Sequence, residues 1–247
     1  MRAIRTTLIV AVVLAGLFVA ADRVAVYFAE NKAAEKIRSS QNLSGTPEVS
    51  IKGFPFLTQV ANSSLDEVEV KLKEGVTASA GGQSVRVSRF DATLNDVAFD
   101  SSFTSATARK ATGTAHLSYA DLTKAAGDPA VSVGYGGAGG DGKGGQGAAG
   151  DNKVKVTGKV SFLGQTVEPS VVSSVSVVNG DTIRLRAEEI PAQGLPGVEH
   201  KIRSKIDFDR KITGLPRGIT VTKVAATPDG VDITLGGDNV RLAGGGN

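Results

Sequence analysis

A histidine, a serine and an aspartate, the three side chains of a hydrolase triad, fall within six positions at His116, Ser118 and Asp121. A working triad needs the imidazole to take the serine proton and the carboxylate to orient the imidazole. No G-x-S-x-G elbow occurs in the chain to present such a serine. A structural role accounts for the same residues: Ser118 caps a following helix and Asp121 sits favourably in its first turn. His200 is the only other histidine. It stands beside Val198 and Ile202 without a second histidine or carboxylate at ligand spacing, so no metal site is expected. With no cysteine in the chain, acid–base chemistry would rest on carboxylates, and no Asp or Glu pair stands out from the solvated faces. Gly142, Gly144 and Gly147 fit G-x-G-x-x-G, but they lie inside a glycine tract with no strand before and no helix after. The chain is read as a non-enzyme without metal or cofactor.

The most unusual segment is Gly53-Phe54-Pro55-Phe56-Leu57-Thr58-Gln59, two of the nine phenylalanines flanking a proline. Proline here marks a strand edge, start or bulge. The segment is either a core-filling kink or an apolar mouth for an acyl chain or membrane surface.

Several elements must position these residues. Arg2 and Arg5 precede the unbroken apolar run from Leu8 to Ala21. A basic start followed by a short apolar block is an export signature. Counted from Ile4, the run reaches about 27 Å as helix, close to the ~30 Å hydrocarbon core. Val19 and Ala21 offer a tolerable cleavage context before Asp22. Retention as an anchor is favoured, because helix-permissive sequence continues from Asp22 to Gln41 until Gly45 and Pro47. Arg2 and Arg5 would then be cytoplasmic and the remainder extracytoplasmic; cleavage after Ala21 would give a secreted protein instead.

Alternation takes over beyond the helix. Val68, Val70 and Leu72 alternate with Glu67, Glu69, Lys71 and Lys73. Further strands are expected at Val85–Val87, at Phe90–Leu94 before Asn95-Asp96, at Val97–Phe99, and over Val154–Phe162. Val175–Val177 and Ile183–Leu185 read as a hairpin about Asn179-Gly180. Ile219–Val221 and Val231–Leu235 follow, the latter after the turn Pro228-Asp229-Gly230. One-sided alternation over many strands argues a large antiparallel sheet rather than βαβ units. Short helices are expected from Ser118 to Ala126 and from Pro196 to Phe208. Gly134–Gly150 reads as a flexible loop. The formal charge is only +3 with acids and bases interspersed, which offers no basic stripe for nucleic acid.

Taken together, the residues resemble the LmeA-like phospholipid-binding family of actinobacterial cell envelopes. The N-terminal segment and the Gly53–Gln59 block carry the resemblance. So do His116-Leu117-Ser118-Tyr119-Ala120-Asp121-Leu122 and the run from Gly214-Leu215-Pro216 through Thr227-Pro228-Asp229-Gly230-Val231 to Leu242. The resemblance implies an α+β, β-dominated fold, a large curved antiparallel sheet packed with a few helices like tubular lipid-binding proteins, preceded by an N-terminal membrane helix. It implies a membrane-associated extracytoplasmic phospholipid binder that supports cell-envelope lipid or glycolipid assembly, with phospholipid or a membrane surface and envelope glycolipid biosynthesis enzymes as partners. The alternative is an envelope structural or interaction protein with no lipid ligand. Residues 1–21 are expected to be the signal or anchor and 22–247 one lipid-binding domain. Phe54, Phe56, Leu57, Val68, Val70 and Leu72 are the candidate lipid-lining residues.

Overall fold

The computed structural model describes residues 2–40, 43, 45–73, 76–80, 83–100, 105–126, 128–137, 152–162, 165–189, 203, 206–213 and 215–243. Helix α1 (Arg2–Ser40) is a single uninterrupted helix. Its apolar first half is exposed, whereas its second half buries a stripe at Asp22, Val26 and Ala34, spaced by whole helical turns. The helix passes Ala21 without a break, as the sequence pattern requires.

The chain continues through β1 (Glu48–Lys52), α2 (Phe56–Ala61), β2 (Ser64–Leu72), β3 (Val76–Ala80), β4 (Gln83–Val87), β5 (Arg89–Phe99), β6 (Ser105–Ser118), α3 (Tyr119–Ala125), β7 (Val131–Tyr135) and β8 (Lys153–Gly158). Then come β9 (Val160–Phe162), β10 (Gln165–Val167), β11 (Ser170–Val178), β12 (Thr182–Glu189), β13 (Phe208–Lys211), β14 (Ile219–Thr227) and β15 (Gly230–Ala243). The fold is β-dominated and antiparallel, with one sheet curled like half a barrel. The larger sheet has strand order β1-β2-β5-β6-β15-β14, and a second has order β13-β12-β11-β8-β7. The expected large sheet is therefore joined by another, packed on one end of it. Val154, Val156, Val175 and Leu185 of the second sheet share a buried cluster with Val221, Val224 and Val231 of the first.

Turn chemistry is where the sequence placed it. Asn179 and Gly180 both take left-handed φ between β11 and β12. Ser118 caps α3, its oxygen accepting from the Asp121 amide. Four local expectations are corrected. Pro55 does not mark a strand edge or bulge but stands at the N-cap of α2. Asn95-Asp96 does not end a strand; β5 runs through it, Asp96 absorbing the irregularity with φ 49°. Gly134 belongs to β7, not to a loop, because Val131, Val133 and Tyr135 pair with β8; residues 138–150 lie outside the described residues. Phe208 opens β13 opposite Leu185 rather than ending a helix, and most of the expected Pro196–Phe208 helix lies outside the described residues.

Candidate functional site

Residues directly opposite each other in antiparallel strands project to the same side of a sheet. Following the register across the larger sheet gives three apolar rows. The first runs Ile51, Val68, Leu94, Ala111, Gly237, Ile219. The second runs Val49, Val70, Ala92, Gly113, Leu235, Val221. The third runs Leu72, Phe90, Ala115, Ile233, Val224. Charged side chains are absent from all three rows, so one face of the sheet is apolar across its width.

The two ends of that face differ in cover. Ile233 and Leu235 join Val221 and Val224 in the core shared with the second sheet. Phe90 and Ala115 pack with Val87 of β4 and Leu122 of α3. Val68, Val70, Ala92 and Leu94 belong to neither cluster and are only partly buried among the described residues. Part of the apolar face is thus packed core, and the stretch over β2 and β5 is only partly covered. An open apolar strip of this kind can take an aliphatic chain at about 0.8 kcal/mol per buried methylene.

The corner between β1 and β2 is built by the Gly53–Gln59 block. Gly53 has φ +93°, and a Cβ there would come within 2.5 Å of Asp66 Oδ2 and Gln59 Nε2. Gln59, buried, donates from Nε2 to the Lys52 carbonyl (3.2 Å) and accepts from the Asp66 amide (2.8 Å), tying the end of β1 to the start of β2. Pro55 has no side-chain acceptor to cap α2, and Asp22 of α1 replaces it: the Leu57 amide donates to Asp22 Oδ1 at 2.8 Å. Asp22 is fully buried and also accepts from Arg23. Eight residues on, Glu30 Oε1 accepts from the Ile51 amide (2.8 Å) on the edge strand β1. Two carboxylates of α1 therefore bond backbone amides of the sheet's first corner.

The opposite face is polar. Glu67, Asn95, Lys110 and Asp238 stand in register there and line, with the Asp96–Arg109 ion pair, a cleft of about 480 Å³. A neighbouring trough of about 360 Å³ is bordered by Thr112, Thr220, Thr222 and Thr234 together with Ala111, Leu235, Gly236 and Gly237. The charged lining of the first cleft does not suit an acyl chain.

Val68, Val70 and Leu72 share the apolar face, Leu72 buried and the other two partly buried. Phe54, Phe56 and Leu57 are carried by the corner instead. Phe56 is buried at 6% exposure and fills the corner's interior, whereas Phe54 is 57% exposed. Ala92 and Leu94, opposite Val70 and Val68, complete the open strip and were recognisable as a strand, but not as neighbours of β2 before the register was known. The hydrolase-like residues do not assemble. His116 Nδ1 lies 2.7 Å from Asp232 Oδ1 on the adjacent strand, while Asp121 Oδ2 accepts from Ser118 (2.7 Å) and Ser88 (2.9 Å). Among the described residues no cluster of three or more His, Asp or Glu is placed to hold a metal ion. His200 and Gly142, Gly144 and Gly147 lie outside the described residues.

A family model, that of LmeA-like phospholipid-binding proteins, matches residues 20–236. Comparison with curated proteins and with solved structures gives no match.

Proposed function

The chain belongs to the LmeA-like phospholipid-binding family, and from that premise we propose that it is a membrane-tethered, extracytoplasmic phospholipid binder without catalytic activity of its own. The observation that carries the reading is the partly exposed apolar strip of Val68, Val70, Ala92 and Leu94, which lies outside both core clusters of the described residues. An acyl chain laid along this strip would be desolvated on one side by the sheet, with its head group left near water. Helix α1 is long and apolar enough to cross a bilayer. Arg2 and Arg5 precede its apolar run and favour a cytoplasmic start, which leaves the sheets outside. Phe56 and Leu57 would shape the corner beside the strip, and enzymes of envelope glycolipid assembly are the proposed recipients of the bound lipid.

The test uses the full chain in vesicles containing a phospholipid with a photoreactive group on its acyl chain. Crosslinks are expected in peptides carrying Val68–Leu72 and Ala92–Leu94, in addition to α1. Substitution of Ala92→Trp, which fills the strip, should remove the sheet crosslinks and leave those of α1. Crosslinks confined to α1 in the unsubstituted protein would refute the reading and favour an envelope structural protein with no lipid ligand.

A further inference from the structure

The apolar run of α1 and the folded sheets are not separated by a stalk. Ile4 to Ala21 spans about 27 Å as helix, close to the thickness of a bilayer's hydrocarbon core. The next residue, Asp22, is already buried and bonded to the Leu57 amide of the corner. Whatever lies level with Asp22 is therefore level with the end of the apolar run. Phe54 is such a residue: the Arg23 guanidinium stands 5.1 Å from the centre of its ring, and the ring is 57% exposed.

The outward side of α1 continues the same character for another turn and a half. Val24, Tyr27 and Phe28, at i, i+3 and i+4, are all more than half exposed. Tyr27 and Phe28 meet edge to face with ring centres 6.0 Å apart. Phe28 is six residues past Asp22, or about 9 Å along the axis, comparable with the depth of a headgroup layer. Charge resumes only at Glu30 and Lys32. Aromatic side chains beside an arginine, here held between Asp22 and the Phe54 ring, are the composition of a membrane–water boundary. In water the same cluster would be an exposed apolar patch with no compensation.

We infer that Phe54, Arg23, Val24, Tyr27 and Phe28 form a docking surface for the lipid headgroup layer, so that the corner of the larger sheet rests directly on the bilayer. The inference rests on reading α1 as a membrane anchor and adds a surface to it. The occupant is bilayer lipid because the patch is continuous, on one unbroken helix, with the exposed apolar run from Ile4 to Val19. It also gives the apolar strip its lipid source: Gly53 begins at the end of β1, whose Ile51 lies opposite Val68.

The chain contains no tryptophan, so single tryptophans report position without background. Phe54→Trp, Tyr27→Trp, Leu14→Trp and, on the far edge strand, Thr220→Trp would each be made in the full chain and reconstituted in phosphatidylcholine vesicles. Lipids brominated near the head group serve as shallow quenchers and lipids brominated at the chain end as deep ones. Blue-shifted emission and preferential shallow quenching are expected at positions 54 and 27, with neither at 220. Tyr27→Trp reads the same layer from α1, so a folding defect at the corner does not remove the test. Emission at both 54 and 27 that matches position 220 would overturn the docking surface, whatever position 14 shows. Deep quenching at position 14 decides the anchor separately: present with unquenched 54 and 27, the anchor stands and the surface fails. Absent with quenched 54 and 27, the surface stands and the anchor fails.

Discussion

Gly53 is the residue on which the corner turns. Its left-handed φ is unfavourable for any side chain, and the space a Cβ would need is held by Asp66 and Gln59. Gln59 cannot retreat without releasing both the Lys52 carbonyl and the Asp66 amide. Gly53→Ala should therefore destabilise the protein by on the order of 1–3 kcal/mol, measured by urea unfolding, with no change in the denaturant slope. An unchanged midpoint would mean that the corner relaxes around the methyl group at no cost. The sequence singled out this block by composition alone, two phenylalanines about a proline, and left open whether it filled a core or met lipid. The structure divides the two roles between neighbours: Phe56 is buried and Phe54 exposed. That division was illegible in the sequence because it depends on Asp22, thirty-odd positions away, capping a short helix whose own N-cap is a proline.

Among the elements, the ones read correctly had strong local signals. The hairpin about Asn179-Gly180, the strand after Pro228-Asp229-Gly230 and the capped helix α3 all follow from residues that prefer one backbone conformation. Strand β6 was missed. It pairs with both β5 and β15, yet reads Ser-Ala-Thr-Ala-Arg-Lys-Ala-Thr-Gly-Thr-Ala-His-Leu-Ser, with alanines where larger apolar residues would have shown the alternation. Ala108 and Ala111 are almost fully buried because neighbouring strands supply the bulk. Helix α3 permits a test of its cap. The hydroxyl of Ser118 donates to Asp121 and, against the opposing effect of burial, holds that carboxyl below its ordinary range, with the Ser88 hydroxyl assisting. A carboxyl whose pKa is lowered on folding adds stability above its unfolded pKa, about 4, and loses it as pH falls through the folded value. Ser118→Ala should cost about 1 kcal/mol near neutrality, where both the cap and the hydroxyl's bond to the ionised Asp121 are lost. The gap between variant and parent should narrow as pH falls through the lowered folded value, below about 4, where Asp121 becomes protonated in both. A gap that stays constant through the acid range would show that Asp121 draws no stability from the Ser118 hydroxyl.

At the scale of the molecule, the open strip, the anchor and the second sheet depend on one another only if both sheets fold as one unit. Residues 22–247 are proposed to be that unit. The supporting feature is the buried cluster in which Val221 and Val224 of β14 meet Val154, Val156, Val175 and Leu185. Packing the second sheet onto one end of the apolar face leaves Val68, Val70, Ala92 and Leu94 outside that core, so the same contact both stabilises the fold and delimits the strip. Val221 is 2% exposed and bonds through its amide to the Gly180 carbonyl of the β11–β12 turn. Val221→Ala removes two buried carbon groups from that junction and should cost about 2 kcal/mol, including the cavity left behind. The measurement is chemical unfolding followed both by far-ultraviolet circular dichroism and by amide exchange resolved to peptides of each sheet. If the sheets form one unit, every probe moves to lower denaturant together, since neither sheet retains its half of the core once the other has opened. Two transitions, only one of them shifted, would divide the chain into separately folding sheets. The apolar strip would then belong to the larger sheet alone, and its open end would no longer be set by where the second sheet packs.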